Sequence, residues 1–400
     1  MSNGIPAVMY HSVGIVDKTW HWNYLTCPYE VFENQLKWIE RCGYKTLTFQ
    51  DVYDYVINEI TVPKKSVLLT FDDGYLDNYV FAYPLLKKYG MKGTIFVNPD
   101  FVDTSKGLRK TLDDAATIND IQNLKKIGFC NWEELRKMDQ ESVLDVQSHA
   151  KTHTWYPKSD KIIDFRHPGD EYIWMDWNEN PENKPKLQYI DWSKAQLGKA
   201  IFEHEKALSS KRVFINEEFQ LKLAEYVRRN GGVDFYKNPN WKAILFNVAD
   251  KLKKEYVVLE KTETERDYLE RITYELDFSK REIEKRLNKK VSFFCWPGGS
   301  GTKEGVKIAN ELGYVMSTAA ADISKLRKKI KNSPDFKINR LARITPIMFN
   351  NWSKEDNNSK IVYSPGWYFV LQFLQFNNKY YATIWMRYLK YLIYKVKTYV

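Results

Sequence analysis

Apolar and polar positions along the first 150 residues switch repeatedly between two periods. Pro6-Ala7-Val8-Met9-Tyr10 is a short apolar run that predicts a strand ending at His11. Phe32, Leu36 and Ile39 then fall at i, i+4 and i+7, one face of a helix that Gly43 closes. Lys45 to Phe49 reads as a strand, Asp51 to Ile57 as a helix, and Ser66 to Phe71 as a strongly apolar strand. Tyr79 to Tyr89 is helix-like with Gly90 as its stop, and Gly93 to Val97 is a further strand. Strand, helix, strand, helix is the α/β signature of a parallel sheet with helices packed outside it. Such folds place their chemistry on the loops that leave the carboxyl ends of the strands.

From about Trp155 to Lys290 this rhythm breaks. A polar, aromatic stretch carries Trp174, Trp177 and Trp192 with Pro181 and Pro185 among them. Helical patterns follow, the clearest over Glu265 to Leu287 with Leu269, Ile272, Leu276, Ile283 and Leu287 on one side. The rhythm resumes with Val291 to Trp296 as a strand, Lys303 to Leu312 as a helix and Tyr314 to Thr318 as a strand. The expected organisation is therefore a first part of the α/β core over 1–153, a large, mostly helical insertion over 154–290, the rest of the core over 291–350, and a C-terminal segment over 351–400. In that last segment Arg387, Lys390, Lys395 and Lys397 share one side of a helical wheel, with Tyr, Trp, Leu and Ile on the rest.

Composition narrows the function classes. The chain has 400 residues, 44% of them hydrophobic and 28% charged, which is ordinary for a globular protein and excludes wholesale disorder. The net charge of +10 favours an anionic partner without choosing one. Aromatics reach 15%, enough for a packed core, sugar-stacking clefts or a membrane interface. The four cysteines are widely spaced, so no zinc ribbon or disulfide framework is expected. No stretch resembles a signal peptide or a spanning helix, which predicts a cytoplasmic protein. Residues 380–400 could contact the inner face of an anionic membrane. No nucleic-acid-reading motif is present, and none is expected to be bound.

Three motifs carry chemistry. In Leu68-Leu69-Thr70-Phe71-Asp72-Asp73-Gly74 an apolar strand delivers two adjacent carboxylates to its C-terminal end. Two such carboxylates repel unless a positive charge lies near them, and a divalent metal would supply it, with one Asp as ligand and the other as base. Ser148-His149-Ala150-Lys151-Thr152-His153 follows the apolar run Val143 to Val146. If the two histidines occupy one helical turn at i and i+4, both imidazoles point to one side at suitable spacing to share a metal. Two His plus one carboxylate form a zinc set with an open position for water. Last, Phe293-Phe294-Cys295-Trp296-Pro297-Gly298-Gly299 runs a strand into a turn where a backbone N–H could approach an oxyanion.

Together these stretches resemble the polysaccharide deacetylase family (carbohydrate esterase family 4, the nodulation-type deacetylase domain). Thr70 to Gly74 looks like its first motif, His149 with His153 its second, and Phe294 to Gly299 its third; Val8 to His11 is similar to the first strand of many members. The resemblance covers about residues 5–153 and 291–345. It implies a distorted (β/α) barrel that removes N-acetyl groups from sugars of a glycan or lipid-linked saccharide. It further implies that Asp73, His149 and His153 bind a divalent metal, zinc by preference, that Asp72 is the general base, and that the Gly298 N–H shares the oxyanion. Tyr10, His11, Trp296 and Pro297 would line the substrate cleft, and Trp174 and Trp177 could form a sugar platform. Removal of another acyl group such as formyl, or a silent glycan-binding barrel, are the alternatives.

Three departures from the family pattern stand out. Ala150 replaces a common Ser or Thr, Cys295 stands where many members have an arginine that orients the base, and Leu341-Ala342-Arg343 replaces a common Leu-x-His. Arg343 could stabilise charge but is too basic to protonate a leaving group near neutrality. His11 and His204 are the other candidates for that role.

Overall fold

The computed structural model describes residues 4–17, 23–186, 196–318, 340–351 and 360–376. The main sheet has eight strands: β1 (Ala7–Tyr10), β2 (Lys45–Leu47), β3 (Ser66–Phe71), β4 (Gly93–Val97), β5 (Leu144–Ser148), β6 (Phe293–Phe294), β7 (Met316–Thr318) and β8 (Arg340–Leu341). Every pairing is parallel, in the order β1-β3-β4-β5-β6-β7-β8, with β2 beside β3. Just beyond β8, Ile344 accepts from Met9 N and donates to Ala7 O, both at 2.8 Å. Those bonds return the last strand to the first, so the sheet is a nearly closed barrel.

Side chains on a strand alternate between its two faces, and that parity decides what reaches the site. Ala7, Leu68, Phe96, Phe293, Met316 and Leu341 point inward and form one buried cluster. Val8, Tyr10, Leu69, Phe71, Val97, Val146, Phe294 and Trp296 point outward into a second cluster beneath the helices. The helices α1 (Tyr29–Arg41), α2 (Phe49–Val56), α3 (Tyr83–Lys88), α4 (Trp132–Gln140), α5 (Glu265–Leu287) and α6 (Lys303–Glu311) accompany the strands. α2 puts Phe49, Val52 and Val56 into the interior cluster instead. Its N-terminus is a capping box: Thr48 Oγ1 accepts from Asp51 N, and the Asp51 carboxylate accepts from Thr48 N at 2.6 Å.

Close packing within the sheet has one sharp point. A Cβ on Gly93 would come 2.7 Å from the Leu69 carbonyl oxygen, a backbone atom that cannot swing away. Gly93→Ala is therefore expected to cost about 1–3 kcal/mol, read as a lower urea midpoint at unchanged slope.

Three expected elements differ in form. The helix over Tyr79 to Tyr89 begins as a π-turn, Asn78–Ala82, before α3. Pro84 has no N–H to give the preceding turn, which widens the ladder there. The strand over Val291 to Trp296 shortens to β6 because Ser292 N and Phe293 N donate to the Gln147 side chain, at 3.1 and 3.0 Å. The third difference concerns α5, which buries Tyr268, Ile272, Leu276, Ile283 and Leu287 in the barrel's outer cluster. It is thus a barrel helix although it lies within the stretch expected as insertion. The segment before it has its own core, with Ile162, Phe165, Phe202, Phe219, Leu223 and Leu245 gathered around the antiparallel pair Trp155–Phe165 and Ala200–Lys206. Residues 380–400 and Trp192 lie outside the described residues. No described helix is long and apolar enough to cross a membrane.

Candidate metal and catalytic centre

The inward parity that places Leu68 and Leu341 in the interior continues one step past the strand ends. At the carboxyl end of the barrel it brings Asp72, His149, Cys295 and Arg343 together beneath His11. Asp72 is 2% exposed and is gripped by Arg343 on both oxygens, Nη1 to Oδ1 at 2.7 Å and Nη2 to Oδ2 at 2.8 Å. The same guanidinium donates to Thr70 Oγ1 at 3.0 Å and lies 3.1 Å from Cys295 Sγ. Burial pushes the Asp72 carboxyl up, but Arg343 overrides it and holds the pKa below the usual carboxylate value. Burial likewise opposes charge on Arg343, and Asp72 more than restores it.

Asp73 leaves the strand at φ +72°, a left-handed conformation that non-glycine residues avoid, followed by Gly74 at +74°. The turn swings its carboxylate toward the loop after β5. There Asp73 Oδ1 lies 3.2 Å from His149 Nε2 and 3.4 Å from His153 Nε2. This oxygen is buried yet makes no hydrogen bond. His149 Nδ1 lies 2.8 Å from the Cys295 carbonyl oxygen, which can only accept, so Nδ1 carries the proton and the Nε2 lone pair faces Asp73. With the ring neutral, a His149 lone pair therefore faces the Asp73 carboxylate oxygen. That geometry fits a divalent cation, and ligand atoms of Asp73, His149 and His153 all lie within 4.8 Å of one another.

The charge balance agrees. Despite burial, His153, His149 and His11 hold the Asp73 carboxyl far below the usual range. Burial pushes His153 down to about 4, so its imidazole is neutral near pH 7, as a metal ligand must be. Burial disfavours charge on His149 too, yet Cys295 and the carboxylates of Asp73 and Asp72 raise its pKa well above the ordinary value. The cluster demands one positive charge beside Asp73. A second trio, Asp72, His149 and Cys295, also lies within 4.8 Å, but the Arg343 fork already occupies both Asp72 oxygens there.

Several expectations change. The histidines do not share a helical turn: residues 149–154 form a loop, with Ala150 at φ +61° and His153 at +44°. The loop, rather than an i, i+4 repeat, brings the rings to 5.1 Å between centroids. Tyr10 does not line the cleft. It points outward, buried against Phe71 and Phe32, and donates to Gln35 Oε1 at 2.5 Å. Trp296 points outward as well, and its Nε1 donates to Ser317 Oγ at 3.0 Å. Both assignments miss by one residue of strand parity, and the inward neighbours are His11 and Cys295. Trp174 and Trp177 are no exposed platform, since both are buried with Tyr75, Phe101 and Phe129. Trp177 meets Phe101 edge-on at 5.0 Å.

The remaining candidates are placed as follows. His11 is close enough to lower the pKa values of Asp72 and Asp73 and to oppose charge on His153. Pro297 lines a small cavity with His153, Trp155, Lys206, Leu208 and Ser300. Gly298 is exposed at φ +54°, and its N–H takes no part in the turn bonds Gly299 N to Trp296 O and Ser300 N to Pro297 O. A Cβ there would meet Lys206 Cε at 2.8 Å. His204 sits away from this centre, its ring 5.0 Å from that of Trp174. Sequence reasoning missed the two-point grip of Arg343 on Asp72; the inward parity of residues 341 and 343 was the signal.

Parts of this chain are similar to known proteins. Residues 59–206 match the family model described as polysaccharide deacetylase. The Bacillus subtilis protein YxkH is 45% identical over 93 residues, 23% of this chain and 31% of that protein. A poly-beta-1,6-N-acetyl-D-glucosamine N-deacetylase of Staphylococcus aureus is 39% identical over 119 residues, 30% of this chain and 35% of its own length. The match thus spans about a third of the length of these curated relatives. A de-N-acetylase structure from Aggregatibacter actinomycetemcomitans shares the fold at a TM-score of 0.51 and 16% identity, covering 85% of this chain and 94% of that one. Asp72, Asp73, His149 and His153 all lie inside the segment, residues 59–206, that matches the polysaccharide deacetylase model.

Proposed function

We propose that this protein is a carbohydrate N-deacetylase that hydrolyses the acetamide of an N-acetylated hexosamine in a glycan or lipid-linked saccharide. The observation that carries this reading is the convergence of His149 and His153 on a buried Asp73 oxygen that makes no hydrogen bond, beside a buried, ionised Asp72. Those three residues would hold a divalent metal, zinc by preference. When bound, such an ion supplies Lewis acidity and brings the pKa of a water toward about 7.

The chain's own groups do the rest. Asp72, kept as the carboxylate by Arg343, accepts the proton of the attacking water as the new C–O bond forms at the acetyl carbonyl. The Gly298 N–H, not used by its turn, would donate to the developing oxyanion. When the C–N bond breaks, the departing amine needs a proton, and Arg343 cannot give one. His11, which follows β1 at the carboxyl end of the barrel, is the group assigned to give that proton as general acid. The products are acetate and a free amino sugar. The substrate class is drawn from the S. aureus relative, whose name specifies an N-acetylglucosamine polymer.

Acetate release from N-acetylglucosamine oligomers tests this reading. Chelation is expected to abolish it and added zinc to restore it, while formate release from N-formyl oligomers without acetate release would reassign the acyl group. His11→Asn is expected to lower kcat on the amide by about 10²–10⁴-fold. The loss should shrink on an activated acetyl ester, whose leaving group needs no proton. An equal loss on both substrates removes His11 from the acid role.

A further inference from the structure

The loop that carries both histidines is strained, and it is held by groups far away in the chain. Its two left-handed residues, Ala150 and His153, flank the pair Lys151-Thr152. Thr152 N donates to Glu275 Oε2 at 2.9 Å, and Thr152 Oγ1 donates to Glu275 Oε1 at 2.8 Å. Glu275 lies on α5 and is 3% exposed. The Thr152 carbonyl accepts from Lys184 Nζ at 2.7 Å. Lys184, in the inserted segment, is 2% exposed and also reaches Asp100 Oδ2 at 3.3 Å. Thr152 is thus saturated at its amide, hydroxyl and carbonyl by two buried charged side chains.

Adjacent contacts extend the brace. Ser148 Oγ and Ser279 Oγ are 2.8 Å apart, and Tyr314 Oη donates to the Leu276 carbonyl at 3.0 Å and lies 3.0 Å from Ser148 Oγ. Lys151 Nζ pairs with Asp100 Oδ1 at 2.9 Å and lies 5.2 Å from the Phe278 ring centroid on α5.

Positive φ at two non-glycine residues is strained backbone that persists only where surroundings over-determine it. Burying a carboxylate and an ammonium is itself unfavourable unless each is fully partnered. Here both are partnered by one backbone unit next to His153. We infer that Glu275 and Lys184 are positioning residues that clamp Thr152 and so set the affinity of the Asp73–His149–His153 centre for its divalent cation. The inserted segment and α5 thereby act as a jaw on the metal-ligating loop. This rests on the metal reading above.

The test compares full-length Glu275→Ala, Lys184→Met and Glu275→Gln with a control, Leu223→Ala, which disturbs only the inserted segment's own core. Zinc affinity is measured by competition with a chromogenic chelator, and amide exchange of the peptide around 147–156 is measured in metal-free protein. Glu275→Ala and Lys184→Met are expected to weaken zinc about 10–100-fold and to speed exchange of that peptide. Glu275→Gln, which still accepts from Thr152 N, should stay near wild type, and Leu223→Ala should lower the melting temperature without altering zinc affinity. Unchanged affinity in both Glu275→Ala and Lys184→Met, or an equal loss in Leu223→Ala, overturns the clamp. If wild-type protein binds no zinc while exchange still responds to Glu275→Ala, the clamp on the loop stands and the metal assignment falls.

Discussion

Exchanging Asp72 for Asn is expected to leave zinc binding within a few-fold of wild type while lowering kcat by about 10²–10⁴-fold. The substitution is nearly isosteric, so the pocket beneath His11 keeps its shape. The cation's ligands are Asp73, His149 and His153, and none of them depends on Asp72 for its position. Asp73 is placed by its own left-handed turn and His149 by the Cys295 carbonyl at 2.8 Å. The Asn amide, however, cannot take a proton from water. Zinc titration and acetate release on the same preparation check both halves. Turnover near the wild-type rate would remove Asp72 from the role of base, and loss of zinc would mean that it is a ligand instead.

Arg343→Met should have the largest effect on stability. It leaves Asp72 buried without its counter-charge, a change that costs about 3–5 kcal/mol when a buried pair loses one partner. The pH dependence has a definite sign. In the wild type the Asp72 pKa is lowered on folding, so the pair's contribution is full above the unfolded value of about 3.9 and is lost as pH falls through the lower folded value. In the variant burial is opposed only by His149 and His11, so the folded pKa rises. Protonated Asp72 is then tolerated, so the penalty is small near pH 4 and grows as pH rises toward neutrality. Urea unfolding at both pH values reads this difference. The acidic limb of kcat against pH should move upward in parallel, because the base now holds its proton longer. An unchanged limb together with unchanged stability would mean that the guanidinium does not control Asp72.

Much of this centre was legible before any coordinates. The run Ser66 to Phe71 is a strand with the bounds its apolar character predicts, and Gly93 to Val97 likewise. The helix over Glu265 to Leu287 also keeps its predicted limits, because Thr264 caps one end and Asn288 takes the left-handed conformation at the other. What sequence periodicity alone did not give was direction. Tyr10 and Trp296 are large aromatics beside the motifs and look like sugar contacts, yet alternation along β1 and β6 turns both outward. The histidine spacing imitated a helix because a loop with two left-handed residues also brings rings four residues apart onto one side. The partner of Asp72 was hidden for another reason: the pair is 271 positions apart, and no local pattern links them. Neither could pattern reveal that Glu275 and Lys184 converge on Thr152.

That same separation has a consequence for the nascent polypeptide. Asp72 leaves the ribosome long before Arg343, and at about 5–20 residues per second the delay is about 14–54 s. The bonds between Met9 and Ile344 complete over the same interval. Until then β1 presents an unpaired edge and the buried Asp72 carboxylate lacks its guanidinium, so a half-synthesised chain has reason to stay open and to engage chaperones.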